Sequence, residues 1–411
     1  MSPQHAAGPH RRVPAHSRTR GGHPALRAGA LVLTACVALL TAGVATAYTR
    51  FQGNITTVNV EPLLGDRRPP EPDPDPLDPS AGTPVNILVI GSDTREGNER
   101  YATDTDLEGE RSDTTIIVHI SADRSRVEMV SIPRDILSEQ PECLRSDGST
   151  AGARSQAMFN EAYSRGADRG SQTDGAACVQ KTIEHLTGVY IHHFVIVDMS
   201  GFVNMVDAVG GVPICIPAPI DSPKAHLTLA AGQQTFNGVT ALRFARARTG
   251  EGLNGSDTSR IGRQQELLAA TARTVLSKNL LTDVPELMRF LDATTRSLTV
   301  SSGLGGIPDM AGLAFSLRTV RQENITFLTA PWKPYPENRN RVIFKDEADL
   351  VWANLIADVP MTTGLVPEET PAPSTTAGPA TPGAPTTPTP GPIRTPGVEP
   401  FTSADTTAVC G

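Results

Sequence analysis

Apolar runs bounded by glycine and polar turns divide the middle of the chain into short strands and longer helices. Residues 86–90 (NILVI) form an apolar run closed by Gly91, the pattern of a buried strand. Residues 114–120 (TTIIVHI) and 127–132 (VEMVSI) predict two more strands, joined by the polar turn 121–125. Residues 194–197, 212–216 and 324–328 predict three further strands. Helical spacing marks 178–186, which ends before Gly188, 202–209, which stops at Gly210-Gly211, and 347–356. The longest helical candidate is 259–280, with Ser256 or Asp257 as its cap. Strands and helices interleave, so the expected fold class is α/β, a mixed central β-sheet flanked by helices.

The same pattern fails at both ends. Residues 29–48 run for 20 positions without a charge, about the length that crosses a bilayer core. Arg11, Arg12, Arg18, Arg20 and Arg27 precede the run. The positive-inside rule then keeps residues 1–28 in the cytoplasm and exports the rest. Ala45-Thr46-Ala47 resembles a signal-peptide cleavage site, but the run is long for a signal peptide and reads better as an uncleaved anchor. The expected place is the cell membrane, single-pass, with the main domain extracytoplasmic. Residues 49–84 contain the Pro/Asp repeat 69–76 and read as a stiff spacer. The folded domain is expected over 85–360. Residues 361–411 are Pro, Thr, Ala and Gly with almost no large apolar side chain, and are expected to be disordered.

Charge and cysteine narrow the function. The chain of 411 residues has a formal net charge of -8, which argues against nucleic acid as a partner. Export makes disulfides possible for Cys143, Cys178, Cys215 and Cys410. Cys143 and Cys178 bracket one loop-rich region and are the expected pair. The Ala- and Arg-rich composition suggests a GC-rich actinobacterial source.

Candidate chemistry sits at strand ends. Asp93 and Arg95 follow the first strand, Arg111 and Asp113 open the second, and Arg134 and Asp135 follow the third. Single surface ion pairs are worth little. Three such clusters on successive strands point instead to a ligand crevice at one sheet edge. Residues 243–265 add five arginines and no lysine. Arg246, Arg248, Arg260 and Gln264 are the candidates there, Arg260 and Gln264 sharing a helix face. Arg243 and Arg263 are equally well explained by a surface role. Arginine grips phosphate oxygens with a planar fork, and aspartate is a hard ligand for Mg²⁺ or Mn²⁺. Together they describe a metal-assisted phosphate or pyrophosphate site. The chain has no P-loop, no H-E-x-x-H, no paired C-x-x-C and no G-x-S-x-G elbow. His192 and His193 read as packing or surface residues.

The segments 87–95 (ILVIGSDTR), 111–120 (RSDTTIIVHI), 130–135 (VSIPRD), 159–166 (FNEAYSRG), 186–217 and 241–265 (ALRFARAR…DTSRIGRQQ) together resemble the LytR–CpsA–Psr family of cell-wall enzymes. The resemblance covers about residues 86–280. It implies an enzyme that moves a glycopolymer from a polyprenyl-pyrophosphate carrier to a muramic acid hydroxyl of peptidoglycan. The implied partners are that lipid-linked glycan, peptidoglycan and the cytoplasmic membrane. The implied cofactor is Mg²⁺ or Mn²⁺ on Asp93 and Asp113, with Asp104 and Asp106 of the insertion 96–110 as further acids. Arg95, Arg111, Arg134, Arg246, Arg248, Arg260 and Gln264 would bind pyrophosphate. Asp93, Arg134 and Asp135 would serve catalysis, Asp93 or Asp135 helping to activate the hydroxyl. Phe202, Met205, Val206 and Val209 would either line a tunnel for the lipid tail or form ordinary core. The alternatives are a lipid-pyrophosphate hydrolase, a carrier-binding module without catalysis, and a non-catalytic regulator of wall metabolism.

Overall fold

The computed structural model describes residues 24–73, 82–92, 112–278, 298–365 and 397–405, with single positions between 288 and 296. Two compact units divide at Arg50 and Phe51. The first is most of helix α1 (Pro24–Asn54), the one helix among the described residues long and apolar enough to cross a membrane. Its Leu31, Val32, Leu33, Leu39 and Leu40 are all exposed.

The second unit is built on an eight-stranded mixed sheet. Its strands are β1 (Thr56–Val58), β2 (Val85–Ser92), β3 (Ser112–Ile120), β4 (Val127–Ser131), β5 (His193–Val197), β6 (Leu298–Ser301), β7 (Ile325–Thr329) and β8 (Phe401–Thr402). They lie in the order β1-β6-β5-β2-β3-β4-β7-β8. β2, β3 and β4 are successive antiparallel neighbours, while β5 joins β2 and β7 joins β4 in parallel. Alternation along these strands feeds two cores, because successive side chains point to opposite faces. Leu88, Ile90, Ile117 and Val130 pack on one face, with α3 (Glu161–Ala167), α4 (Gln172–Thr187) and α9 (Glu347–Ile356). Ile87, Ile120, Val127 and Phe327 pack on the other, under α7 (Asp257–Ser277) and α8 (Ile307–Ser316). α4 starts at a Ser171/Asp174 capping box and stops at Gly188 in the left-handed region, φ 67°.

A smaller core joins α5 (Met199–Ala208), α6 (Gly238–Arg246) and the Leu267/Ala270/Val275 face of α7 to the ladder of Val212–Ile216 with Gly232–Phe236. Val206 and Val209 are buried members of this core, Phe202 packs against it, and Met205 is half-buried. Val206, Val209 and Phe202 thus take part in this packing. Gly238 lets α6 approach α5, since a Cβ there would stand 2.2 Å from the Val203 carbonyl oxygen. The disulfide Cys143–Cys178 is present, and Cys215 is disulfide-bonded too. Cys410 lies outside the described residues.

Two expected boundaries move. The domain starts at Phe51, not near residue 85. Phe51, Ile55, Val60, Leu63 and Leu64 are all buried, the last two in helix α2 (Glu61–Leu64), which precedes the Pro/Asp repeat. Arg68 then pins the segment: it bonds Glu184 at 2.6 Å and Glu61 at 2.9 Å, and lies 4.1 Å above the Tyr190 ring. The spacer reading fails here because a few apolar residues sufficed to cover one end of the sheet. The tail is not wholly unstructured either. Phe401 stacks on Phe327, Ser403 N–H donates to the Ile325 carbonyl, and Arg273 donates to the Ser403 carbonyl. Residues 366–396 and 406–411 lie outside the described residues.

A buried polar network ties the centre of the sheet to the end of α9. His119 reaches Asn86 Oδ1 at 2.7 Å and Asp358 Oδ1 at 3.0 Å. Asp358 also accepts from the Ala122 N–H and from Arg126, and Arg126 pairs with Glu128. Burial alone would raise the Asp358 carboxyl, but the hydrogen bonds from His119 and Ala122 and the charge of Arg126 hold it below its ordinary value. Its stabilising contribution is therefore complete above the ordinary aspartate pKa of about 3.9 and is lost as pH falls through the lower folded value. Asp358→Asn keeps a residue type tolerant of the local φ of 51°. It should lower stability at neutral pH by about 1–3 kcal/mol and flatten the acid limb of the Tm–pH curve. An acid limb identical to that of the parent protein would refute this.

Candidate active site at the sheet edge

β2, β4 and β7 all end at the edge where β3 begins, because β3 runs antiparallel to β2 and β4. Ser92 and Ser112 are register partners there. Residues 91–92, 112–114 and 131–135 thus belong to one edge by topology. Asp93, Arg95 and Arg111 themselves lie outside the described residues, as does the side chain of Asp113, whose backbone is in β3.

The loop after β4 is fixed through its backbone. The N–H groups of Asn160, Val342 and Phe159 donate to the carbonyls of Arg134, Asp135 and Ile136. This holds the Arg134 side chain over the start of α7. There Asp257 Oδ1 meets three guanidinium groups: Arg260 at 2.8 Å, Arg134 at 3.3 Å and Arg248 at 3.8 Å. Asp135 Oδ1 is 3.7 Å from Arg134. Arg260 is nearly inaccessible, while the Arg248 side chain is 38% exposed and forms the open side of the cluster. Burial first, then the charges of Arg134 and Arg260, lower the Arg248 guanidinium from its ordinary value. Among the described residues three cations stand against two acids, and the N-terminus of the 21-residue α7 adds its own positive potential. The arrangement can hold a doubly charged oxyanion.

The arginine-rich stretch divides by structure. α6 ends at Arg246, Ala247 leaves the helix at ψ 130°, and Arg248 is thereby turned toward Asp257. Arg246 is half-buried at the helix end and Arg243 is exposed. Arg263 is not a surface residue. It is buried and donates to the carbonyls of Phe244 and Ala247 and to Ser259 Oγ, clamping α6 to α7. Burial, with help from the Arg260 charge, pushes its guanidinium down to about 10. Gln264 donates to the Ala245 carbonyl at 3.3 Å. Its neighbour Gln265 seats α7 on the sheet edge, donating to Ser131 Oγ at 3.0 Å and Thr329 Oγ1 at 3.2 Å.

Asp257 is the residue that sequence reasoning missed. It reads as a helix cap, but Ser256 is the cap, accepting the Ser259 N–H. The available signal was the spacing Asp257–Arg260, an i,i+3 pair on the first turn of a helix. His192 and His193 are packing residues as expected. Burial first, then His193, pushes His192 down to about 4, and its Nδ1 accepts the Asn86 N–H.

With this geometry in place, comparison with known proteins is decisive. The LytR_cpsA_psr family profile matches residues 47–355, three quarters of the chain. The chain belongs to the LytR_cpsA_psr family. The matched span starts at residue 47, in keeping with a domain that starts at Phe51. The chain is 31% identical over 264 residues to the cell wall biosynthesis protein LcpA of Corynebacterium glutamicum, covering 60% of this chain and 50% of LcpA. It is 28% identical over 205 residues to the polyisoprenyl-teichoic acid–peptidoglycan teichoic acid transferase TagU of Enterococcus faecalis, covering 50% and 58%. The chain thus spans about half the length of the curated relatives it matches. Protein gbs0355 of Streptococcus agalactiae shares the fold, with a TM-score of 0.52 at 22% identity over 67% of this chain and 88% of that one.

The two kinds of arginine separate by experiment. Arg263→Ala leaves buried carbonyls without a donor and should cost about 2 kcal/mol or more of stability. Arg248→Ala removes a like charge at an open position and should leave stability within about 0.5 kcal/mol of the parent. Thermal denaturation of both variants checks this, and equal losses would contradict the division.

Proposed function

We propose that this member of the LytR_cpsA_psr family is a membrane-anchored, extracytoplasmic phosphotransferase. It moves a glycopolymer from a polyprenyl-pyrophosphate carrier to a muramic acid hydroxyl of peptidoglycan. The observation that carries the reading is the group of three guanidiniums on Asp257, open at Arg248. The TagU relative, named for a transfer of this kind, supports it.

The chemistry suits the site. The acceptor hydroxyl attacks the phosphorus that bears the glycan, and the bond from that phosphorus to the bridging oxygen breaks. The polyprenyl monophosphate leaves, a phosphodiester forms, and the hydroxyl proton passes to a carboxylate. Cleaving the pyrophosphate drives the transfer, so no nucleotide is required outside the cytoplasm. Arg134, Arg248 and Arg260 hold the phosphate oxygens and offset the charge that gathers on the leaving group. Asp257 keeps the three cations together until the substrate arrives. Arg246 at the end of α6 and Gln264 one turn from Arg260 complete the pyrophosphate side. Asp135, beside Arg134, is the described carboxylate best placed to take the proton, and Asp93 is the other candidate.

Mg²⁺ or Mn²⁺ fits the donor chemistry of this edge, where Asp113 opens β3 and Asp93 follows β2. The described residues alone contain no group of three or more ligating side chains, so the metal would rest on these two carboxylates and on substrate oxygens. Bound there, it would neutralise further phosphate charge.

The test is transfer from a defined lipid-pyrophosphate glycan to a peptidoglycan oligomer by the full chain, read as the phosphodiester product by mass spectrometry. Arg248→Ala should lose about 10²-fold in rate while keeping its fold. Full transfer by a folded Arg248→Ala would refute the site. Release of glycan phosphate at a rate indifferent to the acceptor would replace transfer by hydrolysis.

A further inference from the structure

A second arginine cluster lies away from the sheet edge, on an arm that begins at Asp135. Leu137–Gln140 pairs with Arg154–Met158, and a shorter ladder pairs Cys143–Leu144 with Thr150–Ala151. The arm is rigidly held. The Cys143–Cys178 disulfide ties it to α4, and Asp174 accepts from Ser146 N–H at 2.7 Å and Ser146 Oγ at 3.0 Å.

Between this arm and α3 is a cavity of about 240 Å³ into which Arg145, Arg154, Arg165 and Arg169 all face. Arg145 and Arg165 are each 8% exposed. Arg145 donates to the carbonyls of Arg165 and Gly166 at the end of α3, and to Ser149 Oγ. Arg165 donates to Gln140 Oε1 at 2.8 Å and to the carbonyls of Ala151 and Gly152. These oxygens satisfy the donors but do not cancel the charge. Among the described residues, neither guanidinium has a carboxylate within the 4.0 Å of an ion pair. Arg154 is paired with Glu161 at 3.2 Å, and Asp168 is the one acid among the residues around the cavity. Counting also the exposed Asp147, whose carboxylate is lowered by hydrogen bonds from Ser149 and in part by the Arg145 charge, four arginines stand against three acids among the described residues. Burial first, then the charge of Arg154, lowers the Arg165 guanidinium. Buried cations left in excess are costly unless an anion meets them.

We propose that this cavity binds an oxyanion, a carboxylate or phosphate group carried by a polymeric substrate at a distance from the reacting phosphorus. Gln140, which holds Arg165, is five residues beyond Asp135, at most about 17 Å along an extended strand. That reach suits an oligomer lying along the arm. The two sources of such a group are the stem-peptide carboxylates of the acceptor and the anionic groups of the donor glycan. This assignment of source rests on the transferase reading; the anion site itself does not.

The first experiment needs no turnover. Crystals of the full chain soaked in selenate should show an anomalous peak among the four arginines. Arg154→Gln with Arg169→Gln, both on accessible side chains, should abolish that peak and leave one beside Arg248. No peak in the cavity, or an equal peak in the double variant, overturns the proposal whether or not transfer is ever detected. In the transfer assay, the double variant should raise KM about tenfold for one polymer with kcat preserved, the factor expected for lost charge-assisted hydrogen bonds. A rise for peptidoglycan oligomers alone, removed by amidating their carboxylates, assigns the acceptor. A rise for the lipid-linked glycan alone assigns the donor. A selenate peak with both KM values unchanged marks an adventitious ion only and overturns the substrate role.

Discussion

Three guanidinium groups share one carboxylate oxygen, Asp257 Oδ1, and most of the surrounding architecture keeps them there. Like charges at this distance repel, so each arginine is held by something other than its neighbours. Arg134 is carried by a loop whose carbonyls are bonded by Asn160, Val342 and Phe159. Arg260 is buried on the first turn of α7, which Gln265 seats on the ends of β4 and β7. Arg248 is placed by the end of α6, which Arg263 clamps to α7. Positioning is done by backbone and amide bonds, and the guanidiniums keep their charge for an anion.

The mixed sheet supplies the frame. Since β3 runs against β2 and β4, the start of one strand and the ends of two others fall at one edge. Residues distant in sequence meet there. The same sheet needs cover at both flanks. Residues 51–68 and 397–405, lying on either side of the central domain in sequence, supply it through Phe51, Leu64, Arg68 and Phe401. Segments flanking the central strands thus contribute a few side chains to the fold. The disulfide-held arm extends the charged surface from Asp135 toward a second positive cavity. Such reach suits the proposed transfer, because a polymer extends well beyond the bond that changes.

Much of this was legible in the chain itself. Short apolar runs bounded by turns at 86–90, 114–120 and 127–132, and helical spacing in 259–280, decide element type locally, so the α/β class and the central strands β2, β3, β4, β5 and β7 follow from sequence, while the edge strands β1, β6 and β8 do not. The strand-end Asp and Arg clusters were visible because residue type limits chemistry: a planar fork suits phosphate, and a hard carboxylate suits Mg²⁺. What sequence could not decide is which neighbour of two faces inward. Asp257 and Ser256, Gln264 and Gln265, and Arg260 and Arg263 differ only in helix phase, and phase is set by how α7 docks on the sheet. The extent of the domain was hidden for a related reason. Whether Phe51 or Phe401 is a lone apolar residue in a polar segment or the cover of a sheet edge depends on contacts hundreds of residues away, and only tertiary packing makes those.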